Sequence, residues 1–212
     1  MKKELLRFKN KQKYIVFDYE TCSLNTCSFE NKPWQLAFLV CEGNKVISEH
    51  NLYPFWQDLN ISEEAKKITG FKMPHYKKNA SDPKDALGLL ESYLYSSDYI
   101  IVGHNLLGFD IYIHNMHRLL CNKQTDYSYL DRLIDTNSLA RALFNQIDLN
   151  DDTLLNWQFK LQKLRTRGVK SSLKHMCSHY KIEFDPSKLH DALYDIRQNF
   201  KVFQKLIWDI EL

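Results

Sequence analysis

Tyr14-Ile15-Val16-Phe17-Asp18-Tyr19-Glu20-Thr21 is the stretch on which the reading of this chain turns. Apolar, β-branched and aromatic residues run up to two carboxylates separated by one residue, the composition of a buried strand. Alternate side chains of a strand share a face, so Asp18 and Glu20 project together. Two like charges side by side on a core strand repel, and one stays protonated unless a cation neutralises the pair. Asp-x-Glu at a strand end is therefore half of a site for a hard metal that takes oxygen ligands. The same run also fits a strand passing into a polar turn, so the rest of the chain must supply the other ligands.

Outward from this strand, Trp34–Val40 and Val46–Leu52 read as two more, joined by the turn Glu42-Gly43-Asn44 into an antiparallel meander. Ser62-Glu63-Glu64 caps a short helix ending near Gly70, and Asp82-Pro83 opens another with Ala86, Leu87, Leu90, Tyr93 and Leu94 on one face. Tyr99–Val102 is a short buried strand ended by Gly103, followed by a helix over about Asp110–Leu120. Leu133–Asp135 is a last strand leading into a helix over Thr136–Phe144, and helices over Ser171–Tyr180 and about Asp191–Trp208 close the chain. The pattern predicts an α/β fold with a mixed central sheet of about five strands flanked by helices, residues 1–212 forming one domain. The stretch 146–170 looks like an insertion with no assigned place.

With 44% hydrophobic and 26% charged residues, the composition is that of a globular domain, and no apolar run approaches the length of a membrane span. Met1 to Lys13 carries six Lys/Arg and one Glu and lacks the apolar core of a signal peptide, so it reads as a solvated arm on a cytoplasmic protein. Five cysteines without C-x-x-C spacing fit reduced, mostly buried thiols rather than a disulfide frame or zinc knuckle. A net charge of +3 does not decide the partner, but its distribution is informative. Thr153 to Ile182 holds seven Lys/Arg and no acidic residue, with Trp157, Phe159 and Tyr180 interleaved. Charge for phosphates and rings for bases suit a single strand, with Lys160, Lys163 and Arg165 as candidate contacts; a solvated helix face is the alternative.

Two further motifs supply acids. In Gly103-His104-Asn105-Leu106-Leu107-Gly108-Phe109-Asp110, the carboxylate starts a helix, where the dipole favours it. His104 and Asn105 crowd beside it as candidate substrate contacts, and the two glycines would let a ligand approach the backbone. In His190-Asp191-Ala192-Leu193-Tyr194-Asp195, the two aspartates are four apart and share a helix face. His190 reaches Asp195 only from the preceding loop, which Pro186 and Ser187 favour. A histidine on a loop beside a carboxylate-bound metal is placed to take a proton from water.

Asp18-x-Glu20, Asp110 after Asn…Phe, and His190-x-x-x-x-Asp195, in this order, resemble the DEDDh 3′→5′ exonucleases. Ile68-Thr69-Gly70-Phe71, Ile134-Asp135-Thr136…Ala140-Arg141 and Ser172-Leu173-Lys174…Cys177…Tyr180 extend the likeness over most of the chain. Asn105 stands one residue farther from Asp110 than in proofreading subunits, as in B-family polymerase exonuclease domains. Those domains carry tyrosine where this chain has Asp191, so His190 assigns it to the histidine branch. The resemblance implies an RNase H-like fold and release of nucleoside 5′-monophosphates. Asp18, Glu20, Asp110 and Asp195 would hold two magnesium or manganese ions about 3.5–4 Å apart, with His190 as proton acceptor. It also implies that the backbone at Thr21 meets the substrate's 3′ hydroxyl and that Leu24 wedges against the terminal base.

The expected partner is a nucleic acid with a free 3′ end, single-stranded DNA before RNA, with the host cytoplasm as setting if the chain is phage-borne. The rival readings are a 3′→5′ exoribonuclease or oligoribonuclease and a catalytically silent nucleic-acid-binding module.

Overall fold

A computed structural model describes residues 5–149 and 152–212. Its centre is a six-stranded mixed sheet of β1 (Lys13–Thr21), β2 (Pro33–Glu42), β3 (Lys45–Pro54), β4 (Ala80–Ser81), β5 (Tyr99–Gly103) and β6 (Leu133–Asp135), in the order β4-β3-β2-β1-β5-β6. The pairs β1–β2 and β2–β3 are antiparallel, while β1–β5, β5–β6 and β3–β4 run parallel. The strand beyond the expected five is β4, two residues that extend the edge beside Tyr53 and Pro54.

The helices are α1 (Glu63–Thr69), α2 (Met73–Asn79), α3 (Pro83–Leu94), α4 (Asp110–Leu120), α5 (Thr136–Asn145), α6 (Leu154–Lys163), α7 (Leu173–His179) and α8 (Ala192–Asp209). Their ends follow local chemistry. Ser62 accepts from the Ala65 N–H and Gly70 adopts a left-handed φ of 66°, bounding α1 on both sides. Asp82 caps α3 just before Pro83. The α2 helix, Met-Pro-His-Tyr-Lys-Lys-Asn, escaped the sequence reading because a single turn or two with one buried residue, Tyr76, shows no periodicity.

Alternation along β1 divides the core. Ile15, Phe17 and Tyr19 join Leu36, Phe38, Leu90 and Ile111 on the α3/α4 side, whereas Tyr14 and Val16 join Leu39, Leu139, Ile196 and Phe203 on the α5/α8 side. Both faces of the sheet are covered, which is why β1 reads as a continuous apolar run. Asp18 and Glu20 continue the even-numbered face past Val16, toward α8.

The 146–170 stretch is structural. Its positions 150 and 151 lie outside the described residues; beyond them the chain folds as α6, capped by Thr153, with Trp157, Gln158 and Leu161 buried. Gln158 closes the free edge of β6: its Nε2 donates to the Leu133 carbonyl at 2.9 Å and its Oε1 accepts from the Asp135 N–H at 2.6 Å. One side chain thus takes the place of a seventh strand. Arg141 of α5 donates to the Leu161 and Gln162 carbonyls at the end of α6.

The N-terminal arm departs from expectation in part. Positions 1–4 lie outside the described residues. In the rest, Leu6 is buried, its N–H donates to the Leu212 carbonyl at 2.7 Å, and Phe8 packs edge-on against Trp208. The Leu5-Leu6 pair amid basic residues anchors the segment against the end of α8, while Phe8 to Lys11 stay exposed as expected. Cys22, Cys41, Cys121 and Cys177 are buried free thiols and Cys27 an exposed one. Among the described residues, no helix is long and apolar enough to cross a membrane.

Candidate active site

β5 pairs with β1 only as far as Val16–Val102 and then turns away, leaving the last part of β1 open on that side. The Tyr19 N–H there donates to Asp110 Oδ1 at 3.0 Å, so the first residue of α4 docks onto the strand that carries Asp18 and Glu20. From the other side comes α8. Its cap is Asp191, whose carboxylate accepts from the Tyr194 N–H. Asp191 therefore serves as the helix cap one turn before Asp195, and its charge still reaches Asp195, Asp18 and Glu20 and raises them. Asp195 lies in the first turn, and its Oδ2 accepts from the His190 N–H at 3.1 Å. His190 stands outside the helix with a left-handed φ of 65°, the loop position that lets it converge with Asp195. One ligand atom each of Glu20, His190 and Asp195 lie within 4.8 Å of one another.

The four carboxylates cannot all be ionised at neutral pH without help. Burial holds Asp18 well above the usual carboxylate range, with Asp110, Glu20 and Asp195 adding to it. Glu20 is raised likewise by burial, then by Asp195 and Asp110. Burial pushes Asp110 up to about 8 despite the Tyr19 N–H, so the helix dipole loses to desolvation. Asp195 is pushed up to about 7 by burial, against the His190 N–H. Asp195 Oδ1 is buried and has no hydrogen-bond partner. An orphaned buried carboxylate oxygen, three further acids and one imidazole form a hard, oxygen-rich donor set that suits a divalent cation.

The cleft beside these acids, about 370 Å³, is lined by Asp18, His104, Ser172, Lys174, His190 and Asp195 among others. His104 Nδ1 bonds Thr136 Oγ1 at 2.9 Å, and burial, reinforced by Arg141, lowers its pKa to about 4. His104 therefore stays neutral and is a weak proton acceptor. Asn105, left-handed at φ 70°, directs its Oδ1 to Gln162 Nε2 at 2.7 Å and Asn137 Nδ2 at 3.2 Å. That oxygen holds the loop together, and the expected opening for a ligand at the two glycines is absent. A Cβ at Gly103 would overlap Leu106, and one at Gly108 would lie 2.6 Å from both Asn105 Oδ1 and Gln162 Nε2. The glycines make room for protein, not for ligand.

Thr21 is buried, its hydroxyl donating to the Ser23 carbonyl at 2.6 Å and its carbonyl accepting from Trp34 Nε1. Leu24 stands 87% exposed on the loop beyond, so ordinary loop packing does not account for it. Lys160, Lys163 and Arg165 do not line the cleft. Lys160 pairs with Asp152 at 2.6 Å, and Arg165 turns back to the Gln162 carbonyl.

Two residues were missed as site residues. Lys174 brings a cation to the wall of the cleft; its place in a basic segment was the available signal. Asp135, fully buried, accepts from the N–H groups of Asn105, Leu107, Asn137 and Ser138, and so sets the loop that delivers Asp110. In the sequence it stood out only as the end of the strand Leu133–Asp135 and within the Ile134-Asp135-Thr136 block of the resemblance.

The sheet order and the helices on both of its faces define an α/β protein with the RNase H-like fold of exonucleases, the acids and the histidine meeting at the open end of β1. The chain belongs to the RNase T exonuclease family, whose model matches residues 15–203, and is a 3′→5′ exonuclease of the DnaQ-like kind. It is 28% identical over 201 residues to DNA polymerase III subunit epsilon of Buchnera aphidicola subsp. Baizongia pistaciae (strain Bp), covering 92% of this chain and 71% of that protein. Among solved structures it is similar to E. coli Exonuclease I in complex with a dT13 oligonucleotide, with a TM-score of 0.71, 18% identity, and 92% and 41% of the two chains covered. Exonuclease I in the structure said to suggest how processivity is achieved gives a TM-score of 0.72 at 17% identity, over 94% and 41%. The chain thus spans about two-fifths of the length of these Exonuclease I structures, and at such identity the likeness is one of fold.

Proposed function

We propose that the protein is a divalent-metal-dependent 3′→5′ exonuclease that hydrolyses single-stranded DNA from its 3′ end and releases nucleoside 5′-monophosphates. The observation that carries this reading is the convergence of Asp18, Glu20, Asp110 and Asp195 with His190 at one strand end. The complexes of E. coli Exonuclease I with oligonucleotides support a DNA strand as the substrate.

Asp18, Glu20, Asp110 and Asp195 would hold two magnesium or manganese ions. When bound, such ions lower the pKa of a water and stabilise charge on the departing oxygen. His190, on its exposed loop, takes the proton from the attacking water and gives it up to solvent. The backbone at Thr21 orients the terminal 3′ hydroxyl, and Leu24 packs against the last base, fixing the scissile phosphate opposite the acids. His104 and Asn105 act on this site by shaping the cleft wall and the loop before Asp110. We further take residues 1–212 as one exonuclease domain, a reading supported by one sheet that both large cores share, and the cytoplasm as its place of work.

The decisive test is digestion of end-labelled DNA and RNA oligonucleotides with magnesium, manganese or chelator. Stepwise shortening of DNA from the 3′ end, abolished by chelator, is expected. Faster loss of RNA would make the protein an exoribonuclease, and binding without shortening a silent nucleic-acid-binding module.

A further inference from the structure

A second cleft, about 270 Å³, lies where the end of α6 and the loop after it meet α5. Arg141, Asn145, Arg165, Thr166, Arg167 and Ser171 line it, and no carboxylate does. Two of the guanidinium groups are held together by the same helix end. Arg141 Nη1 and Arg165 Nη1 both donate to the Gln162 carbonyl, the latter at 3.0 Å, and Arg141 Nε donates to Ser171 Oγ at 3.3 Å. Among the described residues none of the three arginines is in an ion pair, whereas Lys160 one turn earlier is held by Asp152. Burial, followed by the charge of Arg165, lowers the pKa of Arg141, and the Asp135 carboxylate offsets this only in part. Guanidinium forks beside hydroxyl donors suit the paired oxygens of a phosphate.

The place of this cleft says which phosphate. Ser171 forms its wall, and Ser172, Leu173 and Lys174 line the active-site cleft. Consecutive Cα atoms are about 3.8 Å apart, so the two clefts meet across a single peptide. From the acids, cationic side chains run through Lys174 to Arg141, Arg165 and Arg167. A strand with its 3′ end at the acids carries its upstream phosphates along such a line.

We infer that the Arg141–Arg165–Arg167 cleft is a subsite for a backbone phosphate of the strand, upstream of the bond that is cut. The inference rests on the nuclease reading for its direction, not for the anion chemistry. It differs from a general basic face in assigning contact to Arg165 and Arg167 and none to Lys160.

The test is binding of fluorescent oligothymidylates of graded length to the whole chain, in chelator so that no strand is degraded, across a salt series. Arg165→Gln/Arg167→Gln removes two exposed charges and should lower affinity for long strands about three- to tenfold. The slope of log K against log salt should become shallower by about 1.4 for two lost single-strand contacts. The loss should shrink with oligomers too short to span both clefts, and Arg165→Lys/Arg167→Lys should restore most of the slope. An unchanged slope, or an equal loss at every length, overturns the subsite. Inorganic phosphate should displace long strands more readily from wild type than from the Gln variant, because both use the same guanidinium forks; phosphate binding that leaves strand affinity unchanged would make the cleft a site for free phosphate and overturn the strand assignment. Melting temperatures of the variants exclude misfolding. Wild type that fails to degrade DNA with magnesium sinks the nuclease reading, whereas active wild type with an unaltered salt slope in the variant sinks the subsite alone.

Discussion

A carboxylate that accepts no hydrogen bond and sits among like charges works against the fold until a cation arrives. Among the described residues Asp18 is in that position: burial and four acidic neighbours raise it, and no donor offsets them. Asp18→Asn should abolish hydrolysis while leaving the metal-free melting temperature equal to or above that of metal-free wild type. A gain of about 1 kcal/mol corresponds to roughly 2–4 °C in a protein of this size. Scanning calorimetry in chelator decides, and clear destabilisation would make Asp18 structural. His190 presents the opposite case, an exposed ring on a left-handed backbone whose N–H is tied to Asp195. His190→Ala should lose roughly 10²–10⁴-fold in kcat as a general base does. Manganese titration by calorimetry should show affinity close to wild type. Loss of metal affinity as severe as that in Asp195→Ala would instead make the ring a ligand, which its closeness to Glu20 and Asp195 permits.

Among the elements, α6 turns a basic and aromatic segment into the seal of a sheet edge. The Gln158 carboxamide satisfies two backbone groups of β6, and Asp135 at the end of that strand holds the loop before Asp110. Gln158→Leu keeps the volume but leaves a buried N–H and a buried carbonyl unpaired, each costing about 1–3 kcal/mol. The expected result is a loss of about 2–4 kcal/mol in urea unfolding, with faster hydrogen exchange at the Asp135 amide than at Val16. Loss of less than about 0.5 kcal/mol, the range of ordinary surface changes, would mean that water replaces the bridge.

Over the whole molecule, acids are used in two contrary ways. Those at the end of β1 are crowded together, whereas Glu91 of α3 is surrounded by donors: the Arg118 and Lys123 cations and, at 3.6 Å, His114, whose pKa burial holds below the usual imidazole value. Burial would raise Glu91, but hydrogen bonds from His114 and Lys123 and the Arg118 charge outweigh it and bring the group down to about 2. A carboxylate depressed in the folded state contributes stability that is present above its unfolded value near 4.5 and lost as pH falls toward 2. Glu91→Gln should therefore cost about 3 kcal/mol at neutral pH, where it leaves the Arg118 cation, mostly buried, without its partner. The gap to wild type should close as pH is lowered from about 4.5 toward about 2. Thermal melts of both proteins over that range test it, and a constant gap would mean that Glu91 acts through packing alone.

Elements whose cause lies within a few residues were legible in the chain before it folded. The alternation of β1 placed Asp18 and Glu20 on one face, and Ser62, Gly70, Asp82 and Pro83 bounded their helices, because strand pleat and helix caps are interactions between near neighbours. The order of acids and the histidine followed from the same local reading. What depends on distant partners became visible only in three dimensions. Gln158 reaches across 25 residues to Leu133. Asp191 caps α8 while Asp195 turns to the acids, Gly108 makes room for the Asn105–Gln162 contact, and Arg165 parts company with Lys160. In each case residue type allowed several uses. The choice among them was made by which buried backbone group or charge lay within reach once the sheet had closed.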